Sequence, residues 1–228
     1  MSGIDTARSL RQARAARRCN SLRAINGINT LFLETLCARA KAPQKFPLGD
    51  QFKTRFAGLT ENDRRTMSSW GMCLMDAGFS DHARWAAIQE RISASNPLQS
   101  FKPTDHSEAN PLGEDGRALA QALYLVAWSL VQWNADEAVV LLGMSRDTAR
   151  VFRQMEIDQL THVARVCNHW VTPRFSELQL AWTDLLNSPS VRAEYDEVWG
   201  SAYGTLRLLG LNGGSSLTIG RFVNGAAC

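Results

Sequence analysis

The chain has no long apolar run, no paired cysteines and almost no strand-like alternation, and each absence closes off a class of protein. No uninterrupted apolar stretch approaches the ~20 residues that a bilayer-spanning helix requires. Cys19, Cys37, Cys73, Cys167 and Cys228 are scattered, odd in number and without a C-x-x-C pair. That pattern argues against both a disulfide framework and a four-ligand zinc site. His82, His106, His162 and His169 show no ligand spacing, and no H-E-x-x-H occurs. The N-terminus is rich in Arg and Ala, as transit peptides are, but it lacks the apolar stretch of a secretory signal and flows directly into a helical pattern. The expectation is a reduced, intracellular, cytoplasmic protein with no membrane partner.

Catalytic arrangements are missing too. Cys167 and His169 lie two apart, whereas a nucleophile and base sharing one helix face stand three or four apart. Gly213-Gly214-Ser215-Ser216 lacks the Lys-Ser/Thr ending of a phosphate loop and follows no strand. Asp136-Glu137 and the Glu194, Asp196, Glu197 group read as acidic surface, because paired catalytic carboxylates need a cleft. The chain is therefore expected to be no enzyme, with no cofactor, no metal and no small-molecule substrate.

What is present is a globular composition, 45% hydrophobic and 21% charged over 228 residues, ample for a sizeable core. Seven Trp are many for this length and favour core anchors. The net charge of +3 is unevenly spread: Arg8, Arg11, Arg14, Arg17, Arg18 and Arg23 stand against Asp5, a local +5 that leaves the remainder at −2. A compact basic arm on a near-neutral body suits phosphate contact as well as a solvated helix start. Contact of three or four of these arginines with phosphates would make log affinity fall with log salt at a slope of about −3 to −4.

Helical periodicity dominates. Leu22, Ile25, Ile28, Leu31, Phe32, Leu36 and Cys37 trace one apolar stripe, ended by Pro43 and Pro47. A second helix is expected over about 50–56. A third opens at Thr60 with Asp63 at the capping-box position and continues through Met67, Trp70, Cys73 and Leu74 until Gly78. Ser80 is placed to cap a fourth helix containing Trp85, Ile88 and Ile92. Residues 93–116 hold three Pro and no sustained period, the mark of a connection. Beyond it come a strongly apolar helix from Ala118 to Trp133, another over Ile157–Trp170, and further helices over Ser176–Leu186 and Ser190–Leu209. The division expected is a basic arm (1–23), a first helical lobe (24–95), a linker (96–116), a second lobe (117–210) and a Gly-rich tail (211–228).

The stretch "DEAVVLLGMSRDTARVFRQM" has the sterics of a helix-turn-helix. Leu142-Gly143 closes a first helix, since Gly readily takes the left-handed cap conformation. Ser145 offers its hydroxyl to the amides of a second helix, whose Thr148, Val151 and Phe152 face inward. Arg146, Asp147, Arg150 and Arg153 then point outward, where a recognition helix meets base edges and phosphates. Their charge is offset by Asp136, Glu137 and Asp147, so a hairpin that merely packs remains the competing reading. The DNA-binding set expected is Ser145, Arg146, Arg150 and Arg153, with Arg11, Arg14, Arg17 and Arg18 from the arm.

The two halves also read alike. Leu48-Gly49, Phe56, Leu59, Asp63, Cys73, Phe79-Ser80 and Trp85 are followed by Leu142-Gly143, Phe152, Met155, Asp158, Cys167, Phe175-Ser176 and Trp182 in the same order, with small gaps. The second series, in "LYLVAWSLVQWNADEAVVLLGMS" and "QMEIDQLTHVARVCNHWVTPRF", resembles the D subunit of the bacterial flagellar master regulator (the FlhD family). The features concerned are the Leu-rich helix Leu123–Leu130, the step Leu142-Gly143, the Leu- and Ala-rich Leu160–Ala164, and the pair Arg174-Phe175. "INTLFLETLCARA" and "FPLGD" carry a looser likeness in the first half.

The resemblance implies an all-α chain of two such lobes packed as an intramolecular pseudo-dimer. Leu31, Leu36, Leu123, Leu130 and Trp133 would line its interface. It also implies a transcriptional regulator, by expectation an activator. Such a regulator works with a zinc-binding C-subunit-like partner on promoter DNA, with RNA polymerase as a further contact; related pairs control conjugative transfer. This chain departs from the family in being about twice as long, with two copies and a basic arm. Fusion would replace association in solution by a linked encounter at roughly millimolar effective concentration. The alternative is a scaffold without DNA contact that docks a partner through exposed Trp and Leu surfaces.

Overall fold

Helix-forming stretches with apolar residues three and four apart can bury one face each, and they do so here around two long helices. The computed structural model describes residues 3–93, 112 and 115–191, with side chains within 19–92, 112 and 115–187. The fold is all-α: the described residues form nine α-helices and one two-stranded sheet.

Helix α1 (Gly3–Ala40) is continuous from the basic segment into the apolar stripe, and α2 (Asp50–Ala57) and α3 (Glu61–Ser68) pack against it. A two-residue strand β1 (Met75–Asp76) leads to α4 (His82–Ser93). Helix α5 (Asp115–Trp133) begins the second half, followed by α6 (Ala135–Leu142), α7 (Arg146–Gln154) and α8 (Ile157–Val166). A single 3-10 turn (Asn168–Trp170), the strand β2 (Thr172–Pro173) and α9 (Gln179–Val191) complete the described chain. Leu119, Ala120, Leu123, Tyr124, Ala127, Leu130 and Val131 make the buried face of α5 at helical spacing. Helices α6, α7 and α8 gather round that helix, and α5 packs on α1.

Each half sends its last described helix into the other. Helix α4 packs on α7, and α9 packs on α3. The Trp85 ring lies 4.7 Å from Phe152 and 5.5 Å from Tyr124, both second-half residues. Trp182 lies 6.0 Å from Phe56 and 6.5 Å from Phe32, both first-half residues. Each indole N–H donates to a carbonyl of its own approach turn, Trp85 to Gly78 at 3.0 Å and Trp182 to Arg174 at 2.9 Å. Between the crossings β1 and β2 pair antiparallel, Met75 opposite Pro173 and Asp76 opposite Thr172.

Several expected boundaries differ. The third helix ends at Ser68 rather than running to Gly78, because buried Asn29 claims the backbone beyond it. Its amide donates to the carbonyls of Ser68 (3.1 Å) and Met72 (2.8 Å) and accepts from the Leu74 N–H (2.8 Å). Trp70, Cys73 and Leu74 therefore reach the core from an irregular segment. Asp81, rather than Ser80, accepts from the first turn of α4, through the Arg84 N–H at 3.1 Å. Helix α9 continues through Pro189 to Val191 instead of breaking after Leu186. Leu112, inside the expected linker, is fully buried. Nearly all of the helix expected over Ser190–Leu209, the Gly-rich tail, and linker residues 96–111, 113 and 114 lie outside the described residues.

Candidate nucleic-acid interface

Asn134 starts the hairpin, its side-chain oxygen accepting from the amides of Asp136 (3.1 Å) and Glu137 (3.4 Å) at the head of α6. Gly143 ends that helix at φ 63, the left-handed conformation that a Cβ disfavours. Ser145 caps α7 by accepting from the Thr148 N–H at 3.0 Å. Thr148, Ala149, Val151 and Phe152 are buried, which fixes the rotation of α7 and leaves Arg146, Asp147, Arg150 and Arg153 exposed on its opposite side. Between α6 and α7 lies an open groove of about 210 Å³, lined by Ala135, Asp136, Val139, Arg146, Arg150 and Arg153 among others.

Charge at this surface is less balanced than the residue count implies. Glu137 turns from the groove to accept from Ser21 on α1 at 2.7 Å and is half-buried. Arg146 meets Asp136 at 3.6 Å and Arg150 meets Asp147, both as exposed pairs. Such pairs contribute about 0–1 kcal/mol, so either arginine can exchange its partner for a phosphate at small cost. Arg153 has no ion pair among the described residues.

The hairpin turn is fastened by the first half, which the sequence reading did not foresee. The Cys73 N–H donates to the Leu141 carbonyl at 2.9 Å, and the Ser145 N–H donates to the Phe79 carbonyl at 3.0 Å. Arg174 adds its guanidinium to the carbonyls of Leu141 (3.3 Å) and Cys73 (3.4 Å), where a cation suits the end of α6. Burial pushes this guanidinium below its usual range. Only the Arg174-Phe175 pair signalled the position in the sequence, and that as part of a family likeness.

The remaining expected residues divide. Leu36, Leu123 and Leu130 are buried in the core, whereas Leu31 and Trp133 are 40% and 58% exposed and do not seal it. Arg11, Arg14, Arg17 and Arg18 lie on the N-terminal part of α1, with side chains outside the described residues. Burial pushes the Cys73 thiol up to about 11 and the Cys167 thiol up to about 12, so neither is a thiolate at neutral pH. Burial also lowers His169. Among the described residues no three His, Cys, Asp or Glu gather to hold a metal ion, and no helix is long and apolar enough to cross a membrane.

Comparison of the chain with protein-family models, curated proteins and solved structures gives no match.

Proposed function

We propose that the protein is a transcriptional regulator that reads duplex DNA with α7, seated in the major groove by the α6–α7 hairpin. The observation carrying this reading is the capped, rotationally fixed α7. Its outward side presents Arg146, Arg150 and Arg153 along an open groove, with their carboxylate partners exposed and exchangeable. Arginine at such positions suits both bidentate recognition of guanine and phosphate contact. The basic part of α1 would add sequence-independent affinity, and the Ser21–Glu137 bond ties that helix to the hairpin. Two D-subunit-like lobes forming an intramolecular pseudo-dimer are supported by the exchanged Trp85 and Trp182 and by the β1–β2 pairing. A C-subunit-like zinc protein is the partner this likeness implies.

Duplexes selected from a random pool by the wild-type chain provide the test. With each arginine contact worth about 1–3 kcal/mol, Arg146→Ala with Arg150→Ala should weaken binding at least tenfold. The melting temperature should be unchanged, because both side chains are exposed. Undiminished binding by a folded double variant would overturn the reading. Exposed Trp133 and Val140, 58% and 65% accessible beside the hairpin, favour a second reading in which this end of the molecule docks a protein. Trp70, Trp85 and Trp182 are buried and cannot serve as such anchors.

A further inference from the structure

The two halves present a comparable helix to solvent, yet only one has the chemistry of a reader. From this difference, and resting on the reading above, we infer that the protein recognises an asymmetric, non-palindromic duplex site as a single chain. Helices α2 and α7 occupy corresponding places: each follows a glycine with positive φ, Gly49 or Gly143, and buries Phe56 or Phe152. Each also leads into a helix opened by a capping box, Thr60 with Asp63 and Glu156 with Gln159. Matching Phe56 to Phe152 sets Asp50 opposite Arg146, Gln51 opposite Asp147, Thr54 opposite Arg150 and Ala57 opposite Arg153. The three outward arginines of α7 thus have no cationic counterpart on α2.

The two cations that α2 does carry, Lys53 and Arg55, match buried Ala149 and Val151 rather than the outward arginines of α7. Lys53 donates to the Gln44 carbonyl at 3.1 Å, and Arg55 donates to Asn187 on α9 at 2.6 Å. The first half also lacks the helix that precedes a reading helix. Residues 41–49, between α1 and α2, form turns, whereas α6 fills the matching interval before α7. A twofold regulator reads two half-sites about one helical turn apart and imposes inverted symmetry on its operator. Here the second head is present as a fold and absent as chemistry, so the operator needs no symmetry.

The experiment selects duplexes from a random-sequence double-stranded pool with the full chain, then counts chains per duplex by mass photometry. We expect one asymmetric motif, one chain per motif, and an unchanged motif for Lys53→Ala with Arg55→Ala. Two inverted copies on one duplex should give no cooperative gain, where a two-headed reader would gain on the order of 10²-fold or more. An inverted-repeat motif at fixed spacing would overturn the single-head inference while upholding DNA reading by α7. Loss of the motif in the α2 double variant would overturn it likewise. Absence of any enriched sequence would overturn DNA reading itself, and this inference with it.

Discussion

Gly143 and Gly27 show how context decides what a methyl group does. A Cβ on Gly143, at φ 63, would lie 1.9 Å from the Arg174 guanidinium that is bonded to Leu141 and Cys73. Gly143→Ala should therefore lower unfolding free energy by about 1–3 kcal/mol, from left-handed strain and a displaced clamp. A Cβ on Gly27, exposed on α1, meets nothing within 4 Å. Gly27→Ala should raise stability by about 0.5–1 kcal/mol. Urea denaturation of the two variants checks both signs. Buried Cys73 and Cys167 give a pH dependence. Their folded values, about 11 and 12, exceed the ordinary thiol value of 9.0, so the folded state holds these protons more tightly. The stability this contributes is fully present below pH 9 and is lost as pH rises toward those folded values. Each thiol accounts for at most about 1.4 kcal/mol per pH unit in that window. Melting temperature should hold to pH 9 and then fall, less steeply in Cys73→Ser; equal slopes would contradict this assignment.

Elements make a crosswise prediction. Replacing Trp85 or Trp182 by Ala should cost about 3–5 kcal/mol each, as for other large core truncations. The local damage should appear in the opposite half. Amide exchange should quicken in α7 for Trp85→Ala and in α1 and α2 for Trp182→Ala, since those helices receive the rings. Loosening confined to the tryptophan's own half would contradict the exchange. Most helices were legible in sequence because their periodicity and caps are local: Thr60 with Asp63, Ser145, and Gly143 all act within four residues. The end of α3 was not, because the deciding group is Asn29, 39 residues earlier in the chain. The strands were invisible for a similar reason. Two residues cannot display a period, and each strand is held by its partner in the other half.

At the scale of the whole molecule, the outward side of α7 was legible, but the clamp on its turn was not, since Cys73, Phe79 and Arg174 converge on it from outside the hairpin. The same convergence predicts that cleavage between residues 100 and 105 will leave the two pieces together. The α1–α5, α4–α7 and α3–α9 contacts and the β1–β2 pair all span the cut. Size-exclusion of a protein cleaved at an inserted protease site should show one peak of undiminished mass; two separate pieces would contradict it. Reciprocal exchange also bears on how the protein is born. The nascent first half emerges with the pocket around Phe32 and Phe56 still waiting for Trp182. Since chains lengthen at roughly 5–20 residues per second, that waiting lasts several seconds. A ribosome stalled anywhere before Trp182 would thus display an open, sticky surface, an inviting target for chaperones and proteases.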